Sequence, residues 1–252
     1  GLGDVYKRQD LGALERAITS HTKAVVVNSP NNPSGVVYTA ETLSAMAELL
    51  RRKAAEYGHP IYLISDEPYR EIVFEGFSVP WLPDFYDDTL VCYSYSKSLS
   101  LPGERIGYIL IGKPVADREA LYAAICGAGR VLGYVNAPSL FQRVAAECDG
   151  LTADLTVYQT NRDLLYHGLT ELGYTCVEPG GTFYLMVKSP EPDAAAFCER
   201  AKRYDLLFPP TDDFHCPGWC RIAFCTATET VQKALPLFKK LAAEYGLSLI
   251  HI

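Results

Sequence analysis

Three short segments and one arginine hold the residues with reactive chemistry. The segments are Asn28-Ser-Pro-Asn-Asn-Pro-Ser-Gly35, Ser65-Asp-Glu-Pro-Tyr-Arg70 and Tyr93-Ser-Tyr-Ser-Lys-Ser98, with Arg105 eight residues after Lys97. The fourth piece is Gly218-Trp-Cys-Arg-Ile222, in which Arg221 enters an apolar run. A lysine just past a buried strand, flanked by hydroxyls, suits a Schiff-base nucleophile, because burial lowers the amine's pKa and frees its lone pair. Asp66 follows a buried run, where a carboxylate is costly unless a cation or donor meets it. Each piece alone also has a plainer reading. Asn, Pro, Ser and Gly form a tight turn; Asp66 suits a structural ion pair; Lys97 and Arg221 suit surface charges.

The elements that would position these residues follow from apolar periodicity. The pattern predicts a helix from about Asp10 to Ser20, a buried strand Ala24 to Asn28, and a Pro/Asn/Gly loop. Thr39 then caps an amphipathic helix with Leu43, Met46, Ala47 and Leu50 on one face and Gly58 as its stop. A second strand, Ile61 to Ser65, completes a β-α-β unit, so the two strands are expected to be parallel and covered on both faces. Further strands run Thr89 to Tyr95 and Arg105 to Ile111; only nine residues separate them, too few for a helical crossover, so this pair should be antiparallel. Beyond Pro114 come a helix to about Ala128, another opening at Pro138, and a long helix from Thr152 to Leu172 that stops at Gly173. Strands Tyr174 to Val177 and Thr182 to Lys188, a helix from Asp193 to Tyr204, strands near Leu206 and Arg221, and a last helix to Tyr245 form an α+β module.

The three segments end strands of an open α/β sheet, so they should converge on one crevice beyond the strands' carboxyl ends. Their combined pattern, Asn-Pro-x-Gly, then Asp-x-x-Tyr, then Ser-x-Ser-Lys with an arginine eight residues on, resembles fold-type I pyridoxal-phosphate (PLP) enzymes of aminotransferase class I/II from about residue 10 to 247. The resemblance implies an α/β fold: a partial PLP-binding large domain at 10–150, its mixed, mostly parallel sheet between helices, and a small α+β domain at 151–247, with the long helix bridging both. It implies pyridoxal 5'-phosphate as cofactor, Schiff-bonded to Lys97, which also moves the proton at the substrate Cα. Asp66 would pair with the ring nitrogen and keep it protonated. Asn32 and Tyr69 would bond the ring oxygen, and Ser94, Ser96 and Arg105 would hold the phosphate. Arg221, with Asn32, would bind the substrate carboxylate. Gly180-Gly-Thr-Phe-Tyr184 resembles the family's glycine-led strand near the substrate entrance and reads as structural. Arg130 lies roughly where dicarboxylate-specific members place an arginine; a solvated helix-end residue is the preferred reading.

The family's layout also implies what precedes these motifs: a glycine-rich phosphate loop and a ring stacked on the cofactor, within a region on the order of 130 residues. The chain is therefore expected to be a fragment, inactive alone, of an enzyme that is a homodimer with sites at the two-fold interface. Residues 1–9 and 248–252 fit no periodic element and read as non-native ends. The expected activity is transfer of an amino group between an L-amino acid and a 2-oxo acid. Alternatives are a PLP-dependent lyase or decarboxylase, or a ligand-sensing domain of a transcription regulator.

Bulk properties agree with a globular protein: 252 residues, 48% hydrophobic. A net charge of −7, with no basic run longer than Arg51-Arg52-Lys53, argues against nucleic acid as a partner. No apolar stretch approaches the roughly 20 residues of a membrane span, and the protein is expected in the cytoplasm. The eight cysteines include no Cys-x-x-Cys pair and read as free thiols. Cys216, Cys220 and Cys225, with His215, are spaced across a Pro-Gly turn and a strand, so no metal site is expected.

Overall fold

The computed structural model describes residues 10–247; the expectations about 1–9 and 248–252 lie outside the described residues. Two sheets organise the chain. In the first, β1 (Ala24–Asn28), β2 (Tyr62–Asp66), β3 (Thr89–Ser94) and β4 (Gly107–Ile111) lie side by side in chain order. The first three are parallel and β4 is antiparallel to β3, as the crossover lengths predict. Between β1 and β2 runs α2 (Ala40–Tyr57), whose start and stop are the expected ones. Thr39 accepts a bond from the Thr42 N–H, and Gly58 closes the helix at φ 70°, where a Cβ would be strained. Its Leu43, Met46, Ala47 and Leu50 are buried against Leu14 of α1 (Leu11–Ala17), Val27 and Leu63.

The chain then passes through α3 (Tyr95–Ser98), α4 (Arg118–Val131), α5 (Ser139–Glu147) and α6 (Leu155–Glu171). The second sheet has the order β5 (Cys176–Val177), β6 (Tyr184–Lys188), β7 (Trp219–Ala223), all antiparallel, with α7 (Ala194–Ala201) and α8 (Thr228–Glu244) around it. Its core draws on Leu165, Leu169, Leu185, Phe197, Phe224 and Phe238, but also on Tyr69, Ile72 and Phe74 from the segment after β2. That segment joins the two sheets. Thr182 N–H donates to the Ile72 carbonyl and Phe74 N–H to that of Gly180, while Gly180 and Gly181 N–H both donate to Gly35. Gly35 has φ 72°, and a Cβ there would lie 2.5 Å from that of Pro179, so only glycine fits the seam.

Several expectations are corrected. Coverage on both faces fails for β1, where Val26 is 66% exposed, and β4 leaves Tyr108, Ile109 and Leu110 exposed. No strand forms near Leu206: Pro209 and Pro210 follow it, and only an isolated bridge joins Pro210 to Cys220, because proline cannot donate to a ladder. The strand predicted from Arg105 begins at Gly107, since Arg105 itself is left-handed at φ 54°. Helix α7 ends at Ala201 and continues to Tyr204 only as a 3-10 turn. Among the described residues, no helix is long and apolar enough to cross a membrane.

Candidate active site

The parallel register aligns the carboxyl ends of β1 and β2, with Asn28 opposite Asp66 and Asp66 opposite Cys92 on β3. At that edge Asn28 does two things. Its Nδ2 donates to the Asp66 carbonyl at 2.9 Å and to Asp66 Oδ2 at 3.3 Å. Its Oδ1 accepts the Asn32 N–H at 2.7 Å and so holds the following loop against the acid. The Asp66 carboxyl is half-buried, and loss of water raises its pKa above the usual value.

One turn beyond β2, Tyr69 is buried among rings. Phe183 lies edge-on at a centroid distance of 5.6 Å and Tyr184 at 6.0 Å. Its phenol pKa is raised, first by burial and then by a hydrogen bond with Tyr184; the charge of Arg221 pulls the other way. Lys97 reaches the same place from α3, its Nζ 5.9 Å from the Tyr69 ring centre and 5.5 Å from that of Phe183. Among the described residues, no carboxylate forms an ion pair with this amine, which is confined between aromatic faces.

The turn that presents Lys97 is built by serines. Ser94 caps α3, accepting the Ser96 N–H at 3.2 Å, and its hydroxyl donates to that of Ser96 at 2.7 Å. Ser94 also pairs with Gly107 across the ladder. There a Cβ would sit 2.3 Å from the Tyr93 carbonyl, so a side chain at 107 would push β4 off the strand that carries this turn.

Arg221, in the second sheet, crosses the seam. Its Nη1 donates to Asn32 Oδ1 at 2.9 Å, and its guanidinium stands 4.4 Å from the Tyr184 ring centre and 5.0 Å from that of Phe214. The remaining N–H groups of the fork suit a carboxylate.

The structure thus brings Asn32, Asp66, Tyr69, Lys97 and Arg221 to one cleft, with the Ser94 and Ser96 hydroxyls at the turn that carries Lys97. Arg105 is not joined to them: it is exposed, and its Nη1 donates to the Pro102 carbonyl of its own loop at 2.6 Å. Arg130 is exposed in the last turn of α4. Sequence reasoning did not single out Asn28, Phe183, Tyr184 or Phe214 as site residues. Asn28 carried a signal as a polar residue at the end of a buried strand beside the loop, and Phe183 and Tyr184 lay in the segment that resembles the family's strand near the substrate entrance. The cysteine set is dispersed, with Cys220 Sγ 3.5 Å from Cys198 Sγ and Cys225 exposed. Among the described residues, no group of three His, Cys, Asp or Glu is placed to hold a metal ion.

An amine over a buried phenol, with a half-buried acid and a carboxylate-binding fork acting on that same phenol, can bond an aldehyde and handle a proton on an amino acid. Residues 5–236 match the profile of aminotransferase class I and II. The aspartate/prephenate aminotransferase of Thermus thermophilus is 36% identical over 90% of this chain and 58% of its own length. The crystal structure of an aminotransferase from Eubacterium rectale superposes with a TM-score of 0.91 at 55% identity, covering 94% of this chain and 59% of that one. For the aspartate aminotransferase of Thermotoga maritima the TM-score is 0.80 at 27% identity, with 94% and 60% covered. The chain spans just under three-fifths of the length of these relatives. With the profile matched over most of the sequence, the chain belongs to the class I and II aminotransferases.

Proposed function

We propose that the enzyme containing this chain transfers an amino group between an L-amino acid and a 2-oxo acid, using pyridoxal 5'-phosphate bound through Lys97. The observation that carries the reading is the position of Lys97 Nζ over Tyr69, whose phenol also lies within the fields of Asp66 and Arg221. The polar groups suit the cofactor. A half-buried carboxyl with no cationic partner among the described residues fits a protonated ring nitrogen, the Tyr69 hydroxyl fits the ring oxygen, and the paired Ser94 and Ser96 hydroxyls fit a phosphate. Arg105, on the same β3–β4 connection, would supply the cation of the phosphate set once released from the Pro102 carbonyl that holds it here.

When bound, the cofactor supplies an electrophilic aldehyde and an electron-withdrawing ring. The chain's own groups do the rest. Asp66 would keep a proton on the ring nitrogen, since that ion pair would offset the desolvation that otherwise disfavours its charge. Arg221 grips the substrate carboxylate as a fork, with Asn32 fixing its angle, and so sets Cα near Lys97. Lys97 Nζ would hold the cofactor through its aldehyde carbon with loss of water and, once the substrate amine displaces it, would carry the proton at Cα. Tyr69 and Phe183 exclude water from the amine.

The reading extends to two domains, residues 10–150 and 151–247, bridged by α6. It also extends to a homodimer, supported by the exposed apolar residues Val131, at the end of α4, and Leu132, Tyr134 and Val135 after it, and to the cytoplasm, supported by free cysteines. Relatives carry aspartate and prephenate in their names, so L-aspartate is the first amino acid to test. Borohydride should trap the cofactor on Lys97 of the intact enzyme, and Lys97→Ala should trap none. L-aspartate alone should then convert the wild type to the pyridoxamine form. Trapping on another residue would reject the site, and release of ammonia with pyruvate from L-cysteine, with no conversion by L-aspartate to the pyridoxamine form, would reject transamination.

A further inference from the structure

The mechanism above leaves one ring at the centre of the cleft without a role. Tyr184 opens β6, opposite Ala223 in the ladder with β7, and its side chain faces two groups that serve different ligands. Its ring lies under the Arg221 guanidinium at 4.4 Å, close enough for a cation–π contact in a partly desolvated place. The same ring meets Tyr69 edge-on at 6.0 Å, and the Tyr184 hydroxyl acts on the Tyr69 phenol, raising its pKa. Phe214 gives Arg221 a second ring at 5.0 Å.

We propose that Tyr184 is a positioning residue that couples the two halves of the reaction site: its ring orients Arg221 for the substrate carboxylate, and its hydroxyl orients Tyr69 for the cofactor ring oxygen. The inference rests on the proposed function. When Tyr69 donates to that oxygen, Tyr184 donates to Tyr69, and a hydroxyl that accepts one bond is a stronger donor in the next. The chain of donors favours the deprotonated form of the bound cofactor. The ring and the hydroxyl therefore have separable effects.

The test uses the intact holoenzyme with Tyr184→Phe, which keeps the ring, and Tyr184→Leu, which keeps the bulk but neither ring nor hydroxyl. Two quantities are read: the apparent pKa from the visible absorbance of the bound cofactor, and KM and kcat for L-aspartate. Tyr184→Phe should raise that pKa by a few tenths of a unit and hold KM within about twofold. Tyr184→Leu should raise KM by about threefold to tenfold through loss of the ring beneath Arg221, beyond any change seen in Tyr184→Phe. An unmoved pKa in Tyr184→Phe, or a KM in Tyr184→Leu equal to the wild type, overturns the coupling. If Tyr184→Leu does not fold, the spectral titration of Tyr184→Phe decides alone. Borohydride trapping of the cofactor in Lys97→Ala sinks the underlying function instead, so the two failures are distinct.

Discussion

Replacing Asn28 by leucine tests how the acid of the site is held. The side chains have the same number of heavy atoms and the same branching, so the change removes polar groups without opening a cavity. Three contacts are lost: Nδ2 to the Asp66 carbonyl at 2.9 Å, Nδ2 to Asp66 Oδ2 at 3.3 Å, and the Asn32 N–H to Oδ1 at 2.7 Å. The two shorter bonds are each worth about 1 kcal/mol net, and the longer one, to a carboxylate but at poor distance, adds no more than about 1 kcal/mol. A total of about 2–3 kcal/mol lowers the Tm of a domain pair this size by roughly 5–10 °C. The carboxylate also loses a donor that favours its charged form, so the Asp66 pKa rises further above its already raised position. Differential scanning calorimetry of the cofactor-free enzyme reads the first effect, and cofactor titration by absorbance reads the second as weaker binding near pH 7. Asn28→Asp should be worse on both counts, because it sets a second carboxylate against Asp66. A leucine variant with unchanged Tm and unchanged cofactor affinity would refute the claim that Asn28 organises this edge.

Other predictions follow from the same geometry. Gly35 and Gly58 have nearly equal φ, 72° and 70°, but a Cβ at 35 meets Pro179 at 2.5 Å and one at 58 meets nothing within 4 Å. Gly58→Ala should thus cost about 1 kcal/mol and Gly35→Ala about 2–4 kcal/mol; equal losses in urea unfolding would discount the seam. Burial raises the Asp66 pKa, so the folded apoprotein favours the protonated acid. Its contribution to stability is present below the ordinary carboxylate pKa and is lost as pH rises through the raised one. Asp66→Asn should therefore stabilise the cofactor-free protein near pH 7 relative to near pH 3, and a parallel offset at both would contradict this. The 252-residue chain alone, with Arg105 bonded to its own loop, is expected to take up PLP poorly. Stoichiometric visible absorbance at micromolar cofactor would count against that.

Local rules made much of this fold legible in the sequence. Thr39 and Gly58 marked both ends of α2, and the gap after Tyr95 set the antiparallel hand of β4, because capping and crossover length depend on neighbours in the chain. The strand misread at Leu206 failed for the opposite reason: apolar content says that a segment is buried, but ladder formation needs donors that Pro209 and Pro210 lack. The exposure of Val26 was hidden because periodicity shows which residues could be covered and not what covers them. At the site, motif residues with unusual polarity stood out, whereas Asn28 is one of many turn-forming residues and Tyr184 reads as an ordinary strand aromatic. Their partners lie far along the chain, where single-sequence patterns carry no information about pairing.

The bond between Arg221 and Asn32 joins positions 189 residues apart. Closing so long a loop is entropically late, so contacts within each sheet form before this one. A polypeptide emerging from the ribosome therefore completes its first sheet, lysine included, while the arginine is still unmade. The competence to hold an amino acid arrives only with the last strand.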